Sequence, residues 1–194
     1  MKADIDPKCR LCRAYPETIH HIVSGCPILA KKAYLDRHNT VAANLHWNIC
    51  KQFGIEVHEK WYKHSPDPVI DTPDITLIWD MQVETDRTIR ANKPDIILKN
   101  KKLKTCIIID VAIPSDYNII QKEAEKRLKY KDLQIEIQRL WNMNTVVIPV
   151  VIGATGLITH TTCEAIKQLP GHHNLLTLQK AVVLGTAHIV RTVL

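Results

Sequence analysis

Apolar residues fall into two patterns along this 194-residue chain. The first is short, dense and β-branched. Runs at residues 96–98, 106–113 and 145–153 are bounded by turn residues and read as buried strands. In the third run Pro149 marks a bulge or a sheet edge. Upstream, residues 74–83 alternate, with Ile75, Leu77, Trp79, Met81 and Val83 set against Thr76, Ile78, Asp80 and Gln82, which predicts the first strand of the core.

The second pattern is helical. Val41, Ala42, Leu45, Ile49 and Phe53 share one face of a helix that Asp36 or Asn39 caps and Gly54 ends. A longer helix is predicted over 119–142. On it Lys122, Lys126 and Lys129 fall on the same side as Leu133, Ile137 and Leu140. Surface helices normally turn lysines away from their apolar stripe, so these lysines are read as reaching past the sheet edge. A second apolar line (Ala124, Leu128, Ile135) is the competing packing face, and it would leave the lysines solvated. Thr161 to Glu164 has capping-box spacing for a short helix that Pro170-Gly171 ends. Leu175, Leu178, Val182, Ile189 and Val193 mark a final helix. Pro66, Pro68 and Pro73 place an irregular connection and a domain boundary before residue 74. The division that follows is 1–30, 31–73 and 74–194.

Composition narrows the class. A hydrophobic content of 45% supports a core, and a net charge of +6 permits a polyanionic partner. No apolar run is long enough to cross a membrane, and the start from Met1 does not read as a signal peptide. Six cysteines in such a chain point to a reducing compartment, nuclear or cytoplasmic, where clustered cysteines more often bind metal than pair.

Two groups carry candidate chemistry. Cys9, Cys12, His21 and Cys26 have zinc-ligand spacing, with eight residues between the halves. His20 competes for the third place. So short a segment buries little, so structural Zn²⁺ would supply its folding energy. Further on, Asp95 opens one strand and Asp110 interrupts the next, and an aspartate in a buried run is costly without a cationic partner. Two such carboxylates followed by lysines suit a divalent-metal phosphodiesterase site, with Mg²⁺ or Mn²⁺ on hard oxygens. Asp80, Glu84 and Asp86 are candidates for an assisting acid. Arg87, Arg90 and Lys93 form a basic approach. The turn holding Lys99, Lys101, Lys102 and Lys104, beside the two acids along the chain, offers phosphate contacts. Trp61 and Tyr62, flanked by Lys60 and Lys63, either stack on unpaired bases or cover the core edge.

The run Lys93-Pro94-Asp95, then Asp110 after fourteen residues, then Lys126-Arg127-Leu128-Lys129-Tyr130 resembles the PD-(D/E)xK nuclease superfamily. More narrowly it resembles the restriction-like endonuclease at the C-terminus of site-specific non-LTR retrotransposon polyproteins. The superfamily lysine two places after the second acid is Ala112 here. The retrotransposon branch has its lysine on the following helix as KxxKY, so the departure favours that branch. CxxC, then His-Ile, then Cys also resembles its zinc knuckle. Arg37-His38 resembles an Arg-His pair that braces the knuckle against the nuclease, or recruits a fifth ligand.

The resemblance implies an α/β, restriction-endonuclease-like mixed sheet flanked by helices, with a small N-terminal zinc knuckle. The implied activity is metal-dependent nicking of target DNA to prime reverse transcription. DNA, and the element's own RNA, would be partners. A reverse transcriptase domain is expected upstream, beyond this sequence. Asp95 and Asp110 would hold the metal. Lys126 or Lys129 would stabilise phosphate charge or orient water, and Tyr130 would position a lysine or phosphate. A nucleic-acid-binding module that no longer cuts is the alternative. Bare carboxylates sharing a metal repel, so truncating Asp95 or Asp110 is expected to leave stability unchanged or raised.

Overall fold

The β-branched runs around Ile97 and Ile108 form the middle of a five-stranded sheet in this computed structural model, which describes residues 7–193. The strands are β1 (Val69–Asp71), β2 (Ile75–Trp79), β3 (Ile96–Asn100), β4 (Thr105–Ala112) and β5 (Asn144–Val151), and they lie side by side in that order. The helices are α1 (Ile19–Ser24), α2 (Pro27–Ala30), α3 (Ala33–Gln52), α4 (Ile119–Lys129), α5 (Lys131–Trp141), α6 (His160–Lys167) and α7 (Leu175–Val193). β1 to β4 pair antiparallel, and β5 joins β4 in parallel after a crossover through α4 and α5. The architecture is therefore α/β, a mixed sheet flanked by helices.

Strand periodicity sends alternate residues to opposite faces. Ile96, Leu98, Ile109 and Val111 pack beneath α3, α6 and α7, against Val41, Leu45, Ile49, Ile166 and Val182. Ile97, Cys106 and Ile108 pack on the other face against Tyr130, Leu133 and Ile137. Both faces are covered, which is why the central runs are apolar without alternation. Asp110, between Ile109 and Val111, turns toward the face of α4 and α5.

Several sequence expectations shift. The first strand stops at Trp79 rather than Val83, because Asp80 takes a left-handed conformation (φ 46) and leads the chain out of the sheet. The proline-rich connection contains β1, whose three residues pair with β2 at the sheet edge, where flanking prolines cost no ladder bond. The helix expected over 119–142 is two helices broken at Tyr130, whose ring is fully buried. Helix α3 starts at Ala33, ahead of either expected cap, and contributes directly to the main core. Helix α6 is capped by Thr159, whose hydroxyl accepts from the Thr162 backbone N–H at 3.0 Å, two residues before the expected start. Pro149 lies on β5, an edge strand, as read. The exposed Leu128 and Ile135 dispose of the competing apolar line on α4 and α5.

At the N-terminal end, Cys9, Ile22, Cys26 and Leu29 form a satellite apolar cluster with Ile189 and Val193 of α7. Met1, from which the leader reading starts, lies outside the described residues. Among the described residues no helix is long and apolar enough to cross a membrane.

Candidate functional site

The first gathering of ligand-type side chains is local. Cys9 and Cys12 flank a tight turn in which the Arg13 N–H donates to the Cys9 carbonyl at 2.8 Å, and Arg13 itself has φ 56. Thr18 caps α1 by accepting from the His21 N–H, and α1 carries His21 toward the turn. His21 Nε2 lies 3.3 Å from Cys12 Sγ. One donor atom from each of Cys9, Cys12, His21 and Cys26 lies within 4.8 Å of every other. His20 points away, its Nδ1 3.2 Å from Ser115 Oγ, so His21 is the third member.

Sulfur and imidazole donors in this number suit a closed zinc shell, and these residues can hold a metal ion. Backbone N–H groups of Ala14, then Tyr15, stabilise the Cys12 thiolate and draw its pKa down to about 6, against the opposing effect of burial. Burial pushes the Cys26 thiol up. This Cys/His cluster is tied to the rest of the chain. Tyr34 Oη accepts from the Cys26 N–H and donates to the Ile22 carbonyl at 2.6 Å. Arg37 donates to the Val23 carbonyl at 2.9 Å and to Thr186 Oγ1 at 2.6 Å. Arg37 is thus the brace of the Arg37-His38 pair, while His38 does something else.

The second gathering joins four parts of the chain. Ile96 pairs with Ile109, so one step further along the hairpin Asp95 stands opposite Asp110. The Asp110 side chain is only 3% exposed. Its Oδ1 accepts the Tyr130 hydroxyl at 2.5 Å, and Lys129 Nζ lies 3.6 Å away. Oδ2 meets the Lys126 ammonium in a direct ion pair. Tyr130 Oη also accepts from Lys129 Nζ at 2.7 Å. Burial, then the hydrogen bond to Asp110, raise the Tyr130 pKa far above the phenol range. The helix break is what makes this possible, because it turns the Tyr130 ring inward between α4 and α5.

Asp95 is held from the opposite side. Its Oδ2 accepts from the Val111 N–H at 2.6 Å and from His38 Nε2 at 3.0 Å. His38 Nε2 also donates to the Val111 carbonyl at 3.2 Å, and Nδ1 faces Asn39 Oδ1 at 3.0 Å. Acceptors at both ring nitrogens suit the imidazolium. Burial opposes its charge, but the hydrogen bond and charge of Asp95 outweigh burial and raise the His38 pKa. Burial likewise opposes ionisation of Asp95, and His38 followed by the Val111 N–H leave its pKa lowered. Sequence reasoning missed this role of His38. With 57 residues between the partners, no local spacing could have signalled it.

No protein-family model matches this chain, and no curated protein does. Its functional reading therefore stands on geometry and residue chemistry.

Among the candidate assisting acids, Asp80 is the one beside the centre. Its N–H donates to the Asp95 carbonyl at 2.8 Å, and its carboxylate pairs with Lys93 at 3.1 Å. Asp86 is engaged instead with Arg139 at 2.5 Å. The expected phosphate contacts fare unevenly. Arg87 is paired with buried Glu136 at 2.8 Å. The turn holding Lys101, Lys102 and Lys104, with Lys99 near the end of β3 beside it, lies at the far end of the β3–β4 hairpin, because an antiparallel hairpin puts its turn and its open ends at opposite ends. Five residues of strand separate it from the acids by about 15 Å. Lys101 pairs with Asp71 and Lys102 with Asp74, both at 2.8 Å, and Lys99 covers the Trp141 ring. Arg90 is exposed, in the loop leading to Asp95.

Trp61 and Trp79 pack on the main core, which is the covering role. Together with Tyr62, His64 and Asn39 they also line a surface cleft of about 440 Å³. Asn39 is the hydrogen-bond partner of His38, so this cleft begins one side chain away from Asp95.

Proposed function

We propose that this chain is a metal-dependent DNA endonuclease of the restriction-like, PD-(D/E)xK kind, with an N-terminal zinc knuckle. In a retrotransposition cycle it would nick target DNA so that reverse transcription is primed at the nick. The observation that carries this reading is the meeting of Asp95 and Asp110 at one strand end with Lys126, Lys129 and Tyr130 around them. Three separate pieces of the resemblance to the retrotransposon branch, distant in sequence, are neighbours in the fold.

The donor set fits a hard divalent cation: two carboxylates face each other at adjacent strand ends, one of them buried. Asp95 and Asp110 would hold Mg²⁺ or Mn²⁺, which when bound lowers the pKa of water and neutralises phosphate charge. The rest of the work falls to the chain itself. Lys126 supplies positive charge beside Asp110, where a scissile phosphate would carry negative charge. Lys129, more exposed and 3.6 Å from Asp110, is placed to meet a phosphate arriving from solvent. Tyr130 is wholly buried, so it orients Asp110 and Lys129 rather than touching DNA. His38 and the Val111 N–H fix the Asp95 carboxylate, as outer hydrogen bonds commonly do for metal ligands. Unpaired bases next to a nick find an aromatic platform in the Trp61, Tyr62 and Trp79 cleft.

The test is conversion of supercoiled plasmid to the nicked form, with Mg²⁺, with Mn²⁺ and with chelator, alongside a salt series of DNA binding. Nicking that requires the divalent ion is the expected result. Salt-sensitive binding with no nicking under any metal would move the chain to the binding-only class.

A further inference from the structure

A third cluster of ligand-type side chains lies away from both sites. His46 and Cys50 are one turn apart on α3, so they share a face, and both are fully buried. The chain returns beneath them after the short 3-10 turn Trp61–Lys63, which delivers His64. His64 Nε2 is 2.8 Å from His46 Nδ1, and Cys50 Sγ is 3.5 Å from that same nitrogen. All three donor atoms lie within 4.8 Å of one another. The imidazole rings are stacked with centroids 5.0 Å apart, and the Trp79 ring closes the outer side of His46 edge to face.

Ordinary core packing accounts poorly for this trio. Burying polar groups costs free energy unless their bonding capacity is used. Here His46 Nδ1, His64 Nε2 and Cys50 Sγ converge on one point, and one imidazole N–H between the two nitrogens uses only part of their bonding capacity. Asp67, on the same connecting segment, is close enough to act electrostatically on both Cys50 and His64. The donors are the soft and borderline types that select zinc over magnesium.

We propose that His46, Cys50 and His64 form a second zinc site, with its fourth position toward the exposed Asp67 or a water from the neighbouring cleft. Bound there, zinc fastens residues 58–68 to α3. That segment leads into edge strand β1 and forms the wall of the aromatic cleft, so the site is structural and sets the shape of that cleft. The assignment does not rest on the nuclease reading.

The test is zinc content by elemental analysis of the full chain, purified without chelator, in wild type and in His64→Ala. His64 sits on the connecting segment and is only partly buried, so its loss should spare the fold, as circular dichroism would verify. The expected difference is one zinc equivalent per chain, whatever the knuckle holds, and Cys9→Ser should remove a different equivalent. As a second readout, Cys9→Ser and the double variant Cys9→Ser with Cys50→Ser are reconstituted with Co²⁺. Thiolate-to-cobalt absorption should be present in the first and absent in the second. No difference in zinc between wild type and His64→Ala, together with cobalt spectra that Cys50→Ser leaves unchanged, would return the cluster to a plain histidine hydrogen bond.

Discussion

The N-terminal Cys/His cluster, proposed as a zinc knuckle, and the acidic centre gather comparable numbers of polar side chains by opposite means. Cys9, Cys12, His21 and Cys26 lie within eighteen residues and depend on two local devices, a turn after Cys9 and the Thr18 cap of α1. Asp95, Asp110, Lys126, Tyr130 and His38 come from two strands and two helices and meet only when the sheet has formed. The knuckle has a small apolar cluster of its own, leaning on Ile189 and Val193. The acidic centre is anchored on both cores and already has its charges answered, Asp95 by His38 and Asp110 by Lys126 and Tyr130. On the proposed reading a metal would therefore serve folding at the first and chemistry at the second.

That contrast can be broken most forcefully at the knuckle. Zinc binding to such a segment is worth on the order of 10 kcal/mol of local folding. Cys9→Ser should therefore abolish hydrogen-exchange protection over residues 7–30, while the main thermal transition moves little. Loss of protection throughout β3 and β4 would show that the knuckle is not a separate metal-dependent unit.

Next in size is Asp110→Ala. The expectation from the sequence, relief of repulsion between bare carboxylates, does not survive the geometry. Removing Asp110 leaves the largely buried Lys126 ammonium without its carboxylate, so stability should fall by about 3 kcal/mol, measured by urea unfolding without metal. An unchanged midpoint would restore the repulsion argument. Smaller still, Lys126→Ala should slow nicking by roughly 10–100-fold, the scale seen when outer partners of metal ligands are lost. Lys129→Ala should do less, being 42% exposed against 18% for Lys126. The reverse order in single-turnover rates would exchange their roles. Smallest of all, Lys101→Ala with Lys102→Ala should leave the salt slope of DNA binding unchanged, because both lysines are paired at the far end of the hairpin. A slope lowered by about two units would put phosphates there after all.

Much of the fold was legible because burial on both sheet faces writes itself as β-branched runs, and β3, β4 and β5 fall where those runs are. Three features were not. Edge strand β1 is only three residues long, flanked by prolines that read as a break. The end of β2 depends on a left-handed Asp80 that alternation alone cannot reveal. The break at Tyr130 carries no glycine or proline. It coincides instead with a tertiary contact, the buried Tyr130 hydroxyl on Asp110. The site divides the same way. Helical spacing correctly set Lys126 and Lys129 toward the acids, since a helix face is a local property. The Arg37-His38 dipeptide suggests a brace or a fifth zinc ligand rather than a partner for Asp95, and closeness in sequence sets the lysine-rich turn near the acids. A hairpin makes closeness in sequence and closeness in space disagree by the length of its strands.

The most direct measurement of the central claim is metal-dependent nicking by Asp95→Asn and Asp110→Asn beside wild type, with DNA affinity measured in chelator on the same preparations. Asparagine keeps the side-chain volume and one acceptor oxygen but removes the charge a divalent ion needs. Both variants are expected to lose at least about 100-fold in rate, with metal-free affinity essentially retained because acids do not bind phosphates. Wild-type rates in both would contradict the account and place any nuclease centre elsewhere in the chain.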